Sequence, residues 1–445
     1  MLRWTVLVCV LLCWTGCETG ELRDELFGET DGGSGGFVGT VGNLEWVWPA
    51  EPGDFEATLV AALALDLQRL PSEGSADRRA WPASVWPSLH DSTNHRWLAG
   101  DLSPVEKYDL TYNAWSTTKN FEALSPFSPA RCEERDFDPE YYEGLGPAAE
   151  WTARHRGNWA AHDKIDSDGD GHGDECDDLD GVDSGRDLDH AWAAAAMVET
   201  EPREPIEVAG VTFWPSDLKA LLLTVYDDAA AYVLTGACQG QPLERRFDGV
   251  VSDAACEGMS AGDFHLVLTN LVGRFGMAIA EDVRDGEQVV SRPLDSYKVE
   301  VLRDVDSAEA RELLGLDEAV DEKWELNPDA RAFVEVQVTT TPLTAAEPSP
   351  SGLLDQVETY RTARGLHYIL ELDLDRRIIG GQWITSDKSG PVPGFLWIAQ
   401  GPRLKRLVGQ ADTALDAPSN PFVHYEEVLS LAHAGPAVPE TLSHE

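Results

Sequence analysis

The sequence is short of positive charge. Its 445 residues carry 34 lysines and arginines against 79 aspartates and glutamates, a formal net charge of −45. A phosphate backbone or an anionic headgroup surface would repel such a chain, which excludes nucleic acid as a partner and leaves an anchor as the one route to a membrane. The acidity suits an extracellular surface, cationic partners or divalent ions, and it equally suits an ordinary solvated face. Beyond the first residues no apolar run is long enough to span a bilayer. Internal repeats are absent too. Cysteine is sparse: of seven, Cys9, Cys13 and Cys17 fall at the very start.

What is present is a normal apolar fraction, 42%, on a chain long enough for one large or two ordinary domains. Residues 1–17 place Arg3 before an apolar stretch and end in Trp14-Thr15-Gly16-Cys17. A charged start, a short apolar core and small residues before a cysteine predict an export signal with lipidation at Cys17, and hence a secreted or cell-envelope protein. Export places Cys132, Cys176, Cys238 and Cys256 in an oxidising compartment. Two disulfides are expected, preferably Cys238 with Cys256 and Cys132 with Cys176. Three connectivities are open to four cysteines, and four free thiols are the alternative.

Residues 18–45 are polar and glycine-rich, and read as a flexible tether. Asp54 followed by Phe55, Leu59, Val60, Leu63, Leu67 and Leu70 predicts a capped amphipathic helix. His190 to Val198 and Ser216 to Tyr232 read as helices, the second entered at Pro215. Alternation predicts strands at 264–269, 333–339, 366–374 and 377–385, with a Pro/Ser-rich loop over 342–351. Helices first and antiparallel strands later indicate an α+β fold.

In residues 166–177, Asp166, Asp168, Asp170, Asp174 and Asp177 occupy loop positions 1, 3, 5, 9 and 12, with glycines permitting the tight turn. Hard oxygen donors at that spacing wrap one calcium ion, with the His172 carbonyl at position 7. The pattern resembles a thrombospondin type 3 loop, where a cysteine such as Cys176 also precedes the last acid. Such a calcium would be structural. The alternative is an acidic linker.

Several stretches, in order along the chain, resemble the elicitor-type transglutaminases: Trp86-Pro-Ser-Leu-His-Asp91, Ser103-Pro-Val-Glu-Lys-Tyr108, His190-Ala-Trp192, Asp217-Leu-Lys-Ala-Leu-Leu222, Phe264-His265, Tyr297-Lys-Val299, Ile378-Ile-Gly-Gly381 and Phe395-Leu-Trp397. The resemblance implies a papain-like, transglutaminase-like core with a helical N-terminal half and a twisted antiparallel sheet. It also implies acyl transfer from a glutamine carboxamide to an amine through a cysteine thioester. That chemistry needs a nucleophile, a histidine base and an orienting acid. Carried over residue by residue, the base is His265 and the acid is Asp282, eleven residues before Pro293. The nucleophile falls on Asp189, in Leu-Asp-His-Ala-Trp where the family reads Leu-Cys-His-Ala-Trp.

A carboxylate cannot form the thioester, so impaired acyl transfer is expected. The runners-up are an active enzyme with another nucleophile, and a metal-dependent hydrolase built on Asp189, His265 and Asp282. Simpler readings stand beside these: Asp189 as a helix cap, His265 as a core histidine, Trp192 and Trp383 as core aromatics. The family's Val-Trp-Asn-Gln-Pro segment appears as Val289-Val290-Ser291-Arg292-Pro293, its Glu before the late tryptophan as Gln382, and its His-Pro-Asp before Phe-Leu-Trp as Val392-Pro393-Gly394. The resulting organisation is a signal over 1–17, a tether over 18–45, a helical region over 46–160, a core over 161–400 and a tail over 401–445. Partners would be protein substrates or other extracellular proteins.

Overall fold

The computed structural model describes residues 37–41, 44–48, 63–117, 144–157, 187–227, 230–235, 259–285, 288–316, 326–384, 392–401 and 420–434. The proposed lipidation site Cys17, the calcium loop 166–177 and Cys132, Cys176, Cys238 and Cys256 lie outside these residues. In order, the chain forms β1 (Phe37–Val41), β2 (Leu44–Trp48), β3 (Glu73–Ser75), α1 (Pro104–Tyr112), α2 (Pro147–His155), α3 (Asp189–Val198), β4 (Ile206–Val208), β5 (Val211–Phe213), α4 (Pro215–Tyr226), β6 (Ala230–Thr235), α5 (Ala261–Val267), β7 (Ile279–Asp285), β8 (Gln288–Leu294), β9 (Ser296–Val305), α6 (Ser307–Leu313), β10 (Ala332–Thr340), β11 (Arg364–Leu372), β12 (Ile378–Trp383), β13 (Pro393–Gly401) and α7 (Tyr425–Ala432).

The fold is α+β. One sheet has the order β1-β2-β6-β13-β7-β8, the other β12-β11-β10-β9-β3. Every described pairing within them is antiparallel except β2 with β6. The chain leaves the first sheet at Leu294 and enters the second at Ser296, turning on Asp295 alone. That corner is pinned. Arg361 grips the buried Asp295 carboxylate with two nitrogens, at 2.6 and 3.0 Å, and the Ala80 N–H donates to it at 3.1 Å.

Among the described residues, apolar side chains gather into two large cores and a small third one around Ala310 and Phe333. The first gathers α1, α2, α3, α4 and α7 against the six-stranded sheet. In α3, Ala191, Trp192 and Ala193 to Ala196 are all buried, as expected of a helix apolar on every side and enclosed by its neighbours. The second core packs α5 against the five-stranded sheet and takes in Leu234, Ile279, Leu294, Leu396 and Ile398 of the six-stranded one. There the backbones meet: a Cβ placed on Gly262 would stand 2.6 Å from the Gly380 carbonyl carbon, so the α5–β12 contact requires glycine.

Several expectations are corrected. His265 is on a helix, not a strand. Ser260 caps α5 by accepting the Asp263 N–H at 3.0 Å, and Phe264, Val267, Leu268 and Leu271 bury one face at helical spacing, continuing into a π-helical turn over Leu268–Arg274. The local alternation of Phe-His-Leu-Val-Leu conceals that period. The helix expected from Ser216 to Tyr232 ends at Tyr226, and the β-prone Ala230–Thr235 pairs instead with β13 and β2. From Leu63 onward the segment expected to be an amphipathic helix forms a 3-10 turn over Leu67–Arg69, because its backbone bonds outward: the Leu65 carbonyl accepts the Ile378 N–H at 2.8 Å. The Phe37–Val41 strand begins inside the segment read as a tether. Residues 425–432 of the presumed tail are helical and bury Val428 and Leu431.

Candidate functional site

Asp189 opens α3, where the unsatisfied N–H groups of a first helical turn favour a negative charge. Its Oδ1 accepts the His190 backbone N–H at 2.7 Å, and its Oδ2 accepts the backbone N–H of Ser291 from the middle of β8. The Asp189 N–H in turn donates to Asp187 Oδ1 at 3.1 Å. Both carboxylate oxygens are therefore engaged by backbone donors.

Asp282 sits on β7 directly opposite Ser291. Its Oδ1 accepts the Ser291 hydroxyl at 2.7 Å and, from the other side, the Trp397 indole N–H of β13 at 2.7 Å. Strand pairing thus carries a row of polar contacts from β8 through β7 to β13. Ser291 joins the two acids, offering its backbone N–H to Asp189 and its hydroxyl to Asp282.

Behind Asp189 lies a buried charge network. His190 Nε2 stands 3.0 Å from Asp227 Oδ1, and its Nδ1 is 3.6 Å from Asp189 Oδ1. Asp227 Oδ2 accepts Arg156 Nε at 2.5 Å. Burial opposes a charge on His190, yet the hydrogen bonds to Asp189 and Asp227 and their charges outweigh it and raise the imidazole to about 10. Asp187 moves upward as well, through burial first and then repulsion from Asp189. Two basic groups, His190 and Arg156, thus face two acidic ones, Asp189 and Asp227, in one buried network.

His265 lies elsewhere. Its Nδ1 shares a 2.8 Å hydrogen bond with the Tyr368 hydroxyl of β11, in a cluster with Phe264 and Trp383. Burial lowers its imidazole to about 3, so it is neutral. Among the described residues, no hydrogen bond or ion pair joins His265 to Asp189 or Asp282. The structure brings Asp189 and Asp282 together through Ser291 and leaves His265 in the second core. It also adds Asp187, His190, Asp227, Arg156 and Trp397. Of these, His190 adjoins Asp189 in sequence, whereas Arg156 and Asp227 meet only through tertiary structure and leave no spacing to read.

Chemically, the arrangement holds an anion at a helix start. Among the described residues, Asp189 is met by two backbone N–H groups, the His190 imidazole and the Asp187 carboxyl. Among the described residues no group of three or more His, Cys, Asp or Glu is arranged to hold a metal ion. No described helix is long and apolar enough to cross a membrane.

Comparison with known proteins follows the same outline. A family model described as transglutaminase elicitor matches residues 53–127 and 157–412. Among solved structures, the crystal structure of the GP42 transglutaminase from Phytophthora sojae is similar at a TM-score of 0.58 and 22% identity, covering 85% of this chain and 94% of that one. No match is found among curated proteins.

Proposed function

Because this chain belongs to the transglutaminase elicitor family, we propose that it is a member in which acyl transfer by the cysteine route has been given up and the scaffold serves as an exported binding protein. One observation carries the reading: the Asp189 carboxylate, at the nucleophile position, is held by the backbone N–H groups of His190 and Ser291. An oxygen anion so engaged is a far weaker nucleophile toward an amide than a thiolate, and an acyl-carboxylate adduct is hydrolytically labile. The hydrogen bond between His265 and Tyr368 supports the same view, since that histidine serves packing. It speaks equally against a hydrolase built on Asp189, His265 and Asp282.

In this proposal the chain is exported and lipidated at Cys17. Asp166, Asp168, Asp170, the His172 carbonyl, Asp174 and Asp177 hold a structural calcium ion, and the partners are extracellular proteins. The acidic surface and the lipobox-like Trp14-Thr15-Gly16-Cys17 motivate this part.

The test is incorporation of a fluorescent primary amine into a glutamine-rich protein, with calcium present. The wild type is expected to give no more label than a heat-inactivated control. Amine incorporation by the wild type that disappears in His265→Ala would overturn the proposal. Label gained by Asp189→Cys would assign the loss to residue 189 alone, and silence would extend it to the placement of His265.

A further inference from the structure

A second cluster of reactive groups lies away from Asp189, between α1 and the start of α4. Lys107 and Asp217 are buried there, with side chains 1% and 0% exposed. Lys107 Nζ stands 2.6 Å from Asp217 Oδ2 and 2.7 Å from Asp101 Oδ2. The Trp97 indole N–H donates to Asp217 Oδ1 at 2.7 Å, and the Trp214 backbone N–H donates to Asp217 Oδ2 at 2.8 Å. The Trp214 indole N–H donates to Asp101 Oδ2 at 3.0 Å. Asp101 is 31% exposed and reaches solvent.

An amine and a carboxyl are thus pressed together out of water, with a hydrogen-bond donor on the carboxyl oxygen remote from the amine and a second carboxylate at the nitrogen. Burying two charges is costly, and burial favours the neutral amine and acid over the ion pair. Burial indeed raises the Asp217 carboxyl, against the opposing charge of Lys107. Removing both charges as an amide ends that cost.

We propose that Lys107 and Asp217 condense into an intramolecular isopeptide bond, with Asp101 relaying the proton. A proton passes from the Lys107 ammonium to the Asp217 carboxylate, leaving amine and carboxylic acid. The Nζ lone pair attacks Asp217 Cγ, and the developing charge on Oδ1 is held by the Trp97 indole N–H. Asp101 takes a second proton from the nitrogen and returns it to the departing hydroxyl. The C–O bond breaks, water leaves and the amide remains. Ammonium plus carboxylate gives amide plus water, so no oxidant, reductant or co-reactant is needed and the net charge of the chain is unchanged.

The neighbouring Lys219 supplies an internal contrast. It is as buried and lies 2.6 Å from Glu201 Oε1, but its other partner is the Pro82 carbonyl, which cannot take up and return a proton. That pair stays ionic. The inference stands independently of the function proposed above.

Intact-mass measurement and tryptic mapping of the full chain decide it. The wild type is expected to lack one water relative to its sequence, to resist trypsin after Lys107, and to yield a branched peptide joining residues 97–119 to 204–219. Lys107→Arg and Asp101→Asn are expected to restore the water, with circular dichroism checking that each is folded. A wild-type digest containing free 97–107 and 204–219 in full yield overturns the proposal without recourse to any variant. Water loss that persists in Lys107→Arg overturns it as well. A branched peptide in Asp101→Asn overturns the relay role.

Discussion

The Asp189 carboxylate accepts the backbone N–H of Ser291, so the first turn of α3 is fastened to the middle of β8 by a contact between residues 102 apart in sequence. Replacing it removes the acceptor of a buried N–H and one counter-charge of His190. Asp189→Ala is expected to cost about 3 kcal/mol in urea unfolding, since an orphaned buried donor and an uncompensated charge each carry a penalty. Asp189→Asn, which keeps an acceptor, should cost less.

Two histidines should shape the pH dependence from opposite sides. His190 is raised to about 10 in the folded protein, against 6.5 for the ordinary side chain. It binds its proton more tightly when folded, so its contribution is full below pH 6.5 and is lost as pH rises toward 10. His265 is lowered to about 3, so its contribution is full above pH 6.5 and is lost as pH falls toward 3. Denaturation free energy should therefore peak near pH 6.5. Each limb has a slope of at most roughly 1.4 kcal/mol per pH unit from its own histidine. His190→Gln should flatten the alkaline limb and His265→Gln the acid one, as read from urea midpoints across the range.

The Asp295–Arg361 pair holds the corner between the sheets, buried on both sides. Arg361→Ala is expected to cost about 4 kcal/mol, because it strands a buried carboxylate. Arg361→Lys should recover only part of that, since an ammonium cannot reproduce the two-nitrogen grip. Equilibrium unfolding of the two variants checks both.

Gly262→Ala tests the closest approach of helix and sheet. With a Cβ 2.6 Å from the Gly380 backbone, α5 must move off β12, at a cost of about 2 kcal/mol typical of overpacking. Thermal unfolding followed by circular dichroism is the measurement, with Gly210→Ala, at an open turn position of positive φ, as the milder comparison.

Truncation before Asn420 removes a segment beyond the last residue matched by the family model. Asn420 donates to the Ala148 carbonyl at 2.8 Å, the His424 N–H to the Tyr108 hydroxyl at 2.9 Å and the Tyr425 hydroxyl to Glu199 at 3.0 Å. Losing these with the buried Val423, Val428 and Leu431 should lower the midpoint of thermal unfolding by several degrees, at about 1 °C per kcal/mol for a chain of 445 residues. Differential scanning calorimetry would show it.

How far the sequence reveals this depends on the range of the interaction. The helix entry at Pro215 is written locally, and α4 begins there. The strands β10, β11 and β12 are legible through their β-branched and aromatic runs, although burial alternates only at the end of β10 and Tyr368 to Leu372 of β11 are buried throughout. Asp189 and Asp282 are named together by the family resemblance. The link between them through Ser291 is not legible, because half of it runs through a backbone N–H that every residue possesses. His265 misleads for a different reason: five residues of alternation outweigh a helical period that only becomes visible once Ser260 and Leu271 are included. Arg156 and Asp227 carry no local signal at all, as an ion pair across the fold has no spacing to recognise.

The balance of charge around His190 has a consequence for how this position can change over time. A thiolate and a carboxylate differ in element, size and reactivity, yet each brings one negative charge to the head of α3. The imidazolium and the helix start respond to that charge, whereas the backbone N–H groups of His190 and Ser291 each take one carboxylate oxygen and would have to share a single sulfur. Exchange between sulfur and oxygen at residue 189 would therefore keep the sign of the charge and give up one backbone hydrogen bond.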